Sequence, residues 1–283
     1  MRRKYPYMRL KISPPIVLEN LLPYDFKYRI YDKNTKKDWS NFLRKGGVSP
    51  VHMVELSHLL LLSVDMQDTV YKPSDWSIIN PGSQEEYRKE HKLACKDDEN
   101  LQLTLKLHYF RIPDGGGAFR VTVYSPYVVL NKTGLDVLIR GKQFLQQAKK
   151  AAGQQAPLVD TTDHTKALPY MFSYGNDDQR NRALLRLGDS EWSKPQSFDA
   201  IGSTTDVVLQ STKKDAEIHV GITVEEGEGK YKLTKVITLA PRFVIKNKIG
   251  EEINIRQPGS PDIMTLHPSK LQPLHFLQRS KTK

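Results

Sequence analysis

The chain has 283 residues, 38% hydrophobic and 27% charged, with a formal net charge of +11 and a single cysteine. Cys95 alone excludes an internal disulfide and suggests a reducing compartment. The longest apolar run, Leu59 to Leu62, is far below the roughly 20 residues needed to span a bilayer as a helix, so no transmembrane segment is expected.

Divided along the chain, the charge sits at the ends: residues 1–45 carry +8, residues 241–283 carry +5, and the middle carries −2. This distribution reads as solvated faces, with a basic contact to anionic lipid through Arg2, Arg3, Lys4, Lys36, Lys37, Arg44 and Lys45 as the sharper alternative. Met1-Arg2-Arg3-Lys4 leads into Tyr5-Pro6-Tyr7 and not into an apolar segment, so no signal peptide is expected. The chain reads as a cytosolic piece of something larger, about two domains long at roughly 100 to 200 residues each.

The first predicted element is a segment that recurs. Pro15 to Asn20 is followed by Pro23, Asp25 and Arg29; Pro126 to Asn131 by Gly134, Asp136 and Arg140; and Pro241 to Asn247 by Gly250, Glu252 and Arg256. Each Asn thus has Pro or Gly three residues on, an acid five on and an Arg nine on. The three Asn are 111 and 116 residues apart, a period that marks an array of small domains. We expect units over residues 1–125, 126–240 and 241–283, the last one truncated.

Strand parity assigns roles within the segment. Positions six and eight after each Asn are apolar (Phe26 and Tyr28, Val137 and Ile139, Ile253 and Ile255) and face a core. The acid and the Arg share the opposite face, separated by roughly 13 Å of strand, so they must find partners on neighbouring strands. The Asn opens a turn by bonding the backbone two residues on. A second role for it is to present hydrogen bonds to a partner at the lip of each unit.

Further along, Asp75-Trp76-Ser77 lies 56 residues after Asn20 at its Trp, and Glu191-Trp192-Ser193 lies 61 after Asn131 at its Trp. These are expected equivalents, whereas Asp38-Trp39-Ser40 has no counterpart. Gln84 to Asn100 is charged and reads as unfolded or as a short helix. Leu101, Leu103, Leu105, Leu107 and Tyr109 alternate with polar residues, and alternation resumes at Phe119 after Asp114-Gly-Gly-Gly117, which predicts a hairpin with one wet face. Gln146 to Pro157 reads as a mobile loop. A second hairpin is predicted from Ile218, Val220, Ile222 and Val224 through a turn at Glu226-Gly227-Glu228-Gly229 to Tyr231 and Leu233. Ala167-Leu-Pro169-Tyr-Met-Phe172 matches Leu271-Gln-Pro273-Leu-His-Phe276 near the end. Short strands, frequent turns and little helical periodicity predict an all-β fold, a tandem array of β-sandwich-like repeat units.

Three stretches carry a family resemblance: Leu187-Gly-Asp-Ser-Glu-Trp192-Ser-Lys-Pro-Gln-Ser-Phe-Asp-Ala-Ile-Gly202, then Val220-Gly-Ile-Thr-Val224, then Gly229 through Ala240-Pro-Arg-Phe-Val-Ile-Lys-Asn247. They resemble the adaptor-binding region of the chorein family, the very large vacuolar protein sorting proteins that carry lipid between organelles. Pro14-Pro15-Ile-Val-Leu-Glu-Asn20-Leu-Leu-Pro23 is similar to another copy of that region's unit. The resemblance implies a domain of six β-rich units, each marked by an Asn, that recruits the lipid carrier by binding a Pro-x-Pro motif of organelle-specific adaptors. Asn20, Asn131 and Asn247 take the marker positions here, so the chain is identified as the C-terminal portion of that domain.

The resemblance implies a cytoplasmic location, peripheral at organelle membranes and membrane contact sites. Eight His residues without metal-ligand spacing, and no nucleophile elbow or phosphate loop, argue against an enzyme, a metal or a cofactor. We therefore expect a non-enzymatic scaffold that takes the Pro-x-Pro segment as an added strand. Asn247, Asn131 and Asn20 are the candidate markers, and Phe243, Ile245 and Ile249 the candidate apolar wall. A phosphoinositide or anionic membrane-surface module is the alternative.

Overall fold

Alternating apolar residues need a sheet to bury one side of each strand, and the chain answers with strands almost throughout. The computed structural model describes residues 12–82, 90–98, 100–141, 169–175, 181–213, 215–258 and 261–278. The first group of strands comprises β1 (Ile16–Asn20), β2 (Phe26–Asp32), β3 (Lys37–Leu43), β4 (Val48–Val51), β5 (Leu60–Met66), β6 (Ser77–Asn80), β7 (Glu90–Lys96), β8 (Gln102–Arg111) and β9 (Phe119–Tyr124). They form two sheets, in the orders β4-β1-β9-β8-β7 and β3-β2-β5-β6. Ile16, Leu18, Phe26, Ile30, Leu62 and Leu105, drawn from both sheets, share one core without exposure, as two sheets packed face to face require.

The second group repeats this plan. It comprises β10 (Tyr127–Asn131), β11 (Val137–Gly141), β12 (Pro169–Phe172), β13 (Ala183–Leu187), β14 (Ser203–Gln210), β15 (Ala216–Glu226) and β16 (Lys235–Pro241). One sheet runs β12-β10-β16-β15-β14, and β11 pairs with β13. In both groups the Asn-bearing strand has an antiparallel neighbour, β4 or β12, and a parallel one, β9 or β16. The third group comprises β17 (Phe243–Lys246), β18 (Ile253–Arg256), β19 (Ile263–Leu266), β20 (Leu271–Leu274) and β21 (Phe276–Gln278). Among the described residues β17 pairs only with β20 and β18 only with β19, while β21 crosses back to pair with β15.

Consecutive groups are continuous in chain and in packing. β9 runs into β10 through Ser125 and Pro126, and β16 runs into β17 through Arg242. Val128 and Met171 of the second group belong to the first group's core. Glu19, almost buried, takes Lys232 at 2.9 Å and Thr122 Oγ1 at 2.8 Å. Burial pushes its carboxyl up, but these two partners outweigh it and hold the group below the ordinary value of 4.5. Tyr24 donates to the carbonyl of Pro169 at 2.7 Å, and Thr104 N–H donates to Ser173 Oγ at 2.9 Å.

Four local expectations change. Residues 90–96, read as unfolded or helical, form β7 paired along its whole length with β8, because Leu93 and Cys95 fill the first core while Lys92 and Lys96 on either side turn outward. The outer face of β8 is not uniformly wet, since Thr104 is buried where Ser173 of the next group docks. Tyr231 and Leu233 are not on a strand: residues 229–231 make a 3-10 turn, which lets Tyr231 pack against the first core, and β16 begins at Lys235. The match between Pro169 and Pro273 is two residues out of register, since Pro169 lies opposite Leu130 whereas Leu271, not Pro273, lies opposite Lys246. Residues 146–157, read as a loop, lie outside the described residues.

Candidate peptide-docking edge

The three marker Asn residues hold the same corner in their three groups. Oδ1 accepts the N–H two residues on: Leu22 to Asn20 at 2.9 Å, Thr133 to Asn131 at 3.0 Å, and Ile249 to Asn247 at 2.9 Å. Nδ2 donates to the carbonyl four residues on, which is Tyr24, Leu135 or Glu251. In the outer two groups Nδ2 also reaches a neighbouring strand, bonding the carbonyl of Leu43 at 3.2 Å and that of Leu266 at 2.9 Å. Asn20 and Asn247 are buried with both ends of the amide engaged, so their contribution to a ligand is the shape of the corner.

The acid finds a partner beyond its own strand in the first and third groups, and the Arg in the first two. Asp25 accepts the N–H of Lys45, Arg29 pairs with Asp38 on β3, and Glu252 bonds His267 at 2.6 Å. Arg29 lies over Trp76 at 5.4 Å and Arg140 over Trp192 at 4.0 Å, so the Arg and the Trp of the sequence pattern are one interaction. A residue that the sequence reading passed over completes it. Ser74 and Ser190, two before each Trp, accept the N–H of Val64 and Leu187 respectively, tying the Trp loop to β5 and β13. The repeated tetrad Ser-acid-Trp-Ser was the available signal.

The third group differs from the others where the candidate wall residues lie. Phe243 is 41% exposed, whereas its equivalents Ile16 and Tyr127 are 0% and 7%. Ile249 is 58% exposed, against 0% and 1% for Leu22 and Thr133. Val244 is 50% exposed, Ile245 is half-buried, and all of them lie with Asn247 along one strand and its turn. Among the described residues β17 pairs with β20 and with no strand on the side that carries β9 in the first group and β16 in the second. A cavity of about 670 Å³ opens at the junction with the second group, with Ile255, Met264, Leu274 and Phe276 among its walls. Asn20 and Asn131 belong to other groups and do not join this edge.

The basic residues of the alternative reading are less well gathered. Lys36 and Lys37 lie at one end of β3 and Arg44 and Lys45 past the other, all exposed, and seven strand residues separate the pairs by roughly 20 Å. Arg2, Arg3 and Lys4 lie outside the described residues. No helix is long and apolar enough to cross a membrane among the described residues. Cys95 is buried, which pushes its thiol up to about 12 and leaves it unreactive.

Residues 1–283 match the family described as the vacuolar-sorting associated protein 13 adaptor binding domain. The chain is 60% identical over its full length to an intermembrane lipid transfer protein, VPS13, of Chaetomium thermophilum, of which it spans 9%. It is 27% identical over 92% of its length to VPS13A of Mus musculus and 25% identical over 90% to VPS13D of Homo sapiens, spanning 8% and 6% of those proteins. With its whole length inside the family pattern and its three Asn corners built alike, the chain belongs to the VPS13 adaptor binding domain family.

Proposed function

We propose that the chain is a non-enzymatic scaffold that binds a Pro-x-Pro segment of organelle-specific adaptors along β17, and so targets a lipid-transfer protein to membrane contact sites from the cytoplasmic side. The observation that carries this reading is the family match over residues 1–283, with Phe243, Val244 and Ile249 exposed along and just after the β17 edge. An extended peptide gains backbone hydrogen bonds from such an edge and side-chain burial from its apolar neighbours. The name shared by the relatives, intermembrane lipid transfer protein, supports a role in lipid traffic for the longer protein.

Peptide pull-down set against liposome flotation tests the reading. Capture of the chain by Pro-x-Pro peptides, lost when Val244→Asp places a charge on the edge, is the expected result. Flotation with anionic liposomes and no capture by any Pro-x-Pro peptide would replace it with the membrane-surface reading.

A further inference from the structure

The Arg nine residues after each marker Asn meets three different surroundings. Arg29 is exposed and pairs with Asp38 of β3. Arg256 is exposed at the end of β18. Arg140 is only 8% exposed, yet no acid pairs with it among the described residues. Burial alone acts on its guanidinium and draws its pKa below the ordinary value, whereas a nearby carboxylate would push the other way.

A second arginine stands beside it. Across β11 and β13, Arg140 lies opposite Leu184 and Leu138 opposite Arg186, so these four side chains share one face and the two arginines are diagonal neighbours about 7–8 Å apart. The face is covered, with Leu184 4% exposed and the Trp192 ring 4.0 Å from the Arg140 guanidinium. Nε of Arg140 and Nε of Arg186 are both buried, and neither donates a hydrogen bond. The acids nearest in sequence are placed otherwise. Asp136 is exposed roughly 13 Å down the strand, Asp189 accepts from Ser211 Oγ at 3.2 Å, and Glu191 is exposed.

A cation taken out of water without a counter-charge is costly, and two unmatched N–H donors on one face are what an arriving anion would satisfy. We propose that Arg140 and Arg186, beneath the Trp192 ring, form a subsite for one carboxylate side chain, Asp or Glu, of a bound protein partner. Trp192 takes up a face of the Arg140 guanidinium and leaves its in-plane donors, whose fork matches a planar carboxylate. The setting favours a carboxylate carried on a peptide over a lipid surface, because residues 46–240 carry a net charge of −2 and acids flank the subsite in sequence at Asp136 and Glu191. The subsite belongs to the second group and does not depend on strand addition at β17.

The test follows the arginine Nε–H resonances of the full chain by NMR, assigned through Arg140→Lys and Arg186→Gln. The probes are the peptide acetyl-Gly-Glu-Gly-amide, its Gln twin, inorganic phosphate, and vesicles of equal parts phosphatidylcholine and phosphatidylserine. The Glu peptide should shift both resonances saturably and the Gln peptide neither. Arg186→Gln should weaken the Glu peptide about tenfold, the loss of one charge-assisted hydrogen bond. Arg140→Lys, which keeps the charge without the fork, should weaken it likewise; Arg186→Gln, at a half-buried position, decides alone if that variant fails to fold. Equal shifts with the Gln peptide, or none with either, would overturn the subsite. Saturation by phosphate at lower concentration, or shifts with vesicles alone, would assign the arginines to a phosphate group instead and overturn it as well. Movement of both resonances in Asp160→Asn with Asp163→Asn, before any ligand is added, would show that the carboxylate comes from this chain and would reject the partner.

Discussion

A buried Asn whose amide bonds three backbone groups acts first on stability. Removing it in Asn20→Ala strands the carbonyls of Tyr24 and Leu43 and the N–H of Leu22, and should cost about 2–4 kcal/mol in denaturant unfolding. Asn20→Asp keeps the acceptor but loses both donations and buries a charge, so it should do no better. Asn247→Ala strands the corresponding groups beside β17, and in matched titrations it should weaken Pro-x-Pro peptide binding more than Asn20→Ala does. A second residue-scale expectation concerns pH. Burial works to raise the Asp32 carboxyl, but His58 and the N–H groups of Thr35 and Asn34 bring it to about 2 from an ordinary 3.8. Its contribution to stability is present above pH 3.8 and is lost as pH falls toward 2. His58 moves the other way, raised from 6.5 chiefly by its bond to Asp32 at 2.7 Å, so its contribution is present below pH 6.5 and is lost as pH rises through the raised value. Asp32→Asn should bring the imidazole titration, followed by NMR, back toward its ordinary value. An unchanged titration would remove Asp32 as its cause.

At the scale of elements, the Arg–Trp stack separates the two complete groups. Arg140 is 8% exposed and lies 4.0 Å from the Trp192 ring, whereas Arg29 is largely exposed and also has Asp38. A cation over an aromatic ring contributes about 2 kcal/mol when desolvated and about 0.5–1 kcal/mol at the surface. Trp192→Ala should therefore lower the melting temperature more than Trp76→Ala, and equal losses would show that the stack contributes little. The sequence made this pairing half-legible: the Arg and the Trp were each seen to recur, and parity excluded the nearby acid as the partner. The β-character, the hairpins around β8–β9 and β15–β16 and the Asn corners were also legible, because alternation and turn chemistry are local. β7 was not, since its charged residues hide Leu93 and Cys95, whose burial depends on β8. Nor was the turn at residues 227–234, where Tyr231 packs against the neighbouring group's core and Lys232 reaches Glu19 across 213 positions of sequence. The candidate wall residues were legible as apolar; that they are exposed along and after β17 was not, because exposure depends on which strands pair with it.

At the scale of the whole molecule, the first two groups share a seam of side-chain and backbone bonds and part of a core, while the third offers two-stranded sheets and a cavity. Opening free energy should follow that division, because few buried apolar contacts mean cheap local opening. Amides of β8, β9, β15 and β16 should exchange slowest with solvent and those of β17 to β20 fastest; uniform exchange rates would contradict the division. The most direct test is hydrogen exchange on the full chain with and without a Pro-x-Pro peptide. Strand addition at β17 predicts new protection at Val244, Lys246 and Lys248, with the amides of β1 and β10 unchanged. Protection confined to another edge, such as β4, β7 or β14, or no change anywhere at saturating peptide, would contradict it.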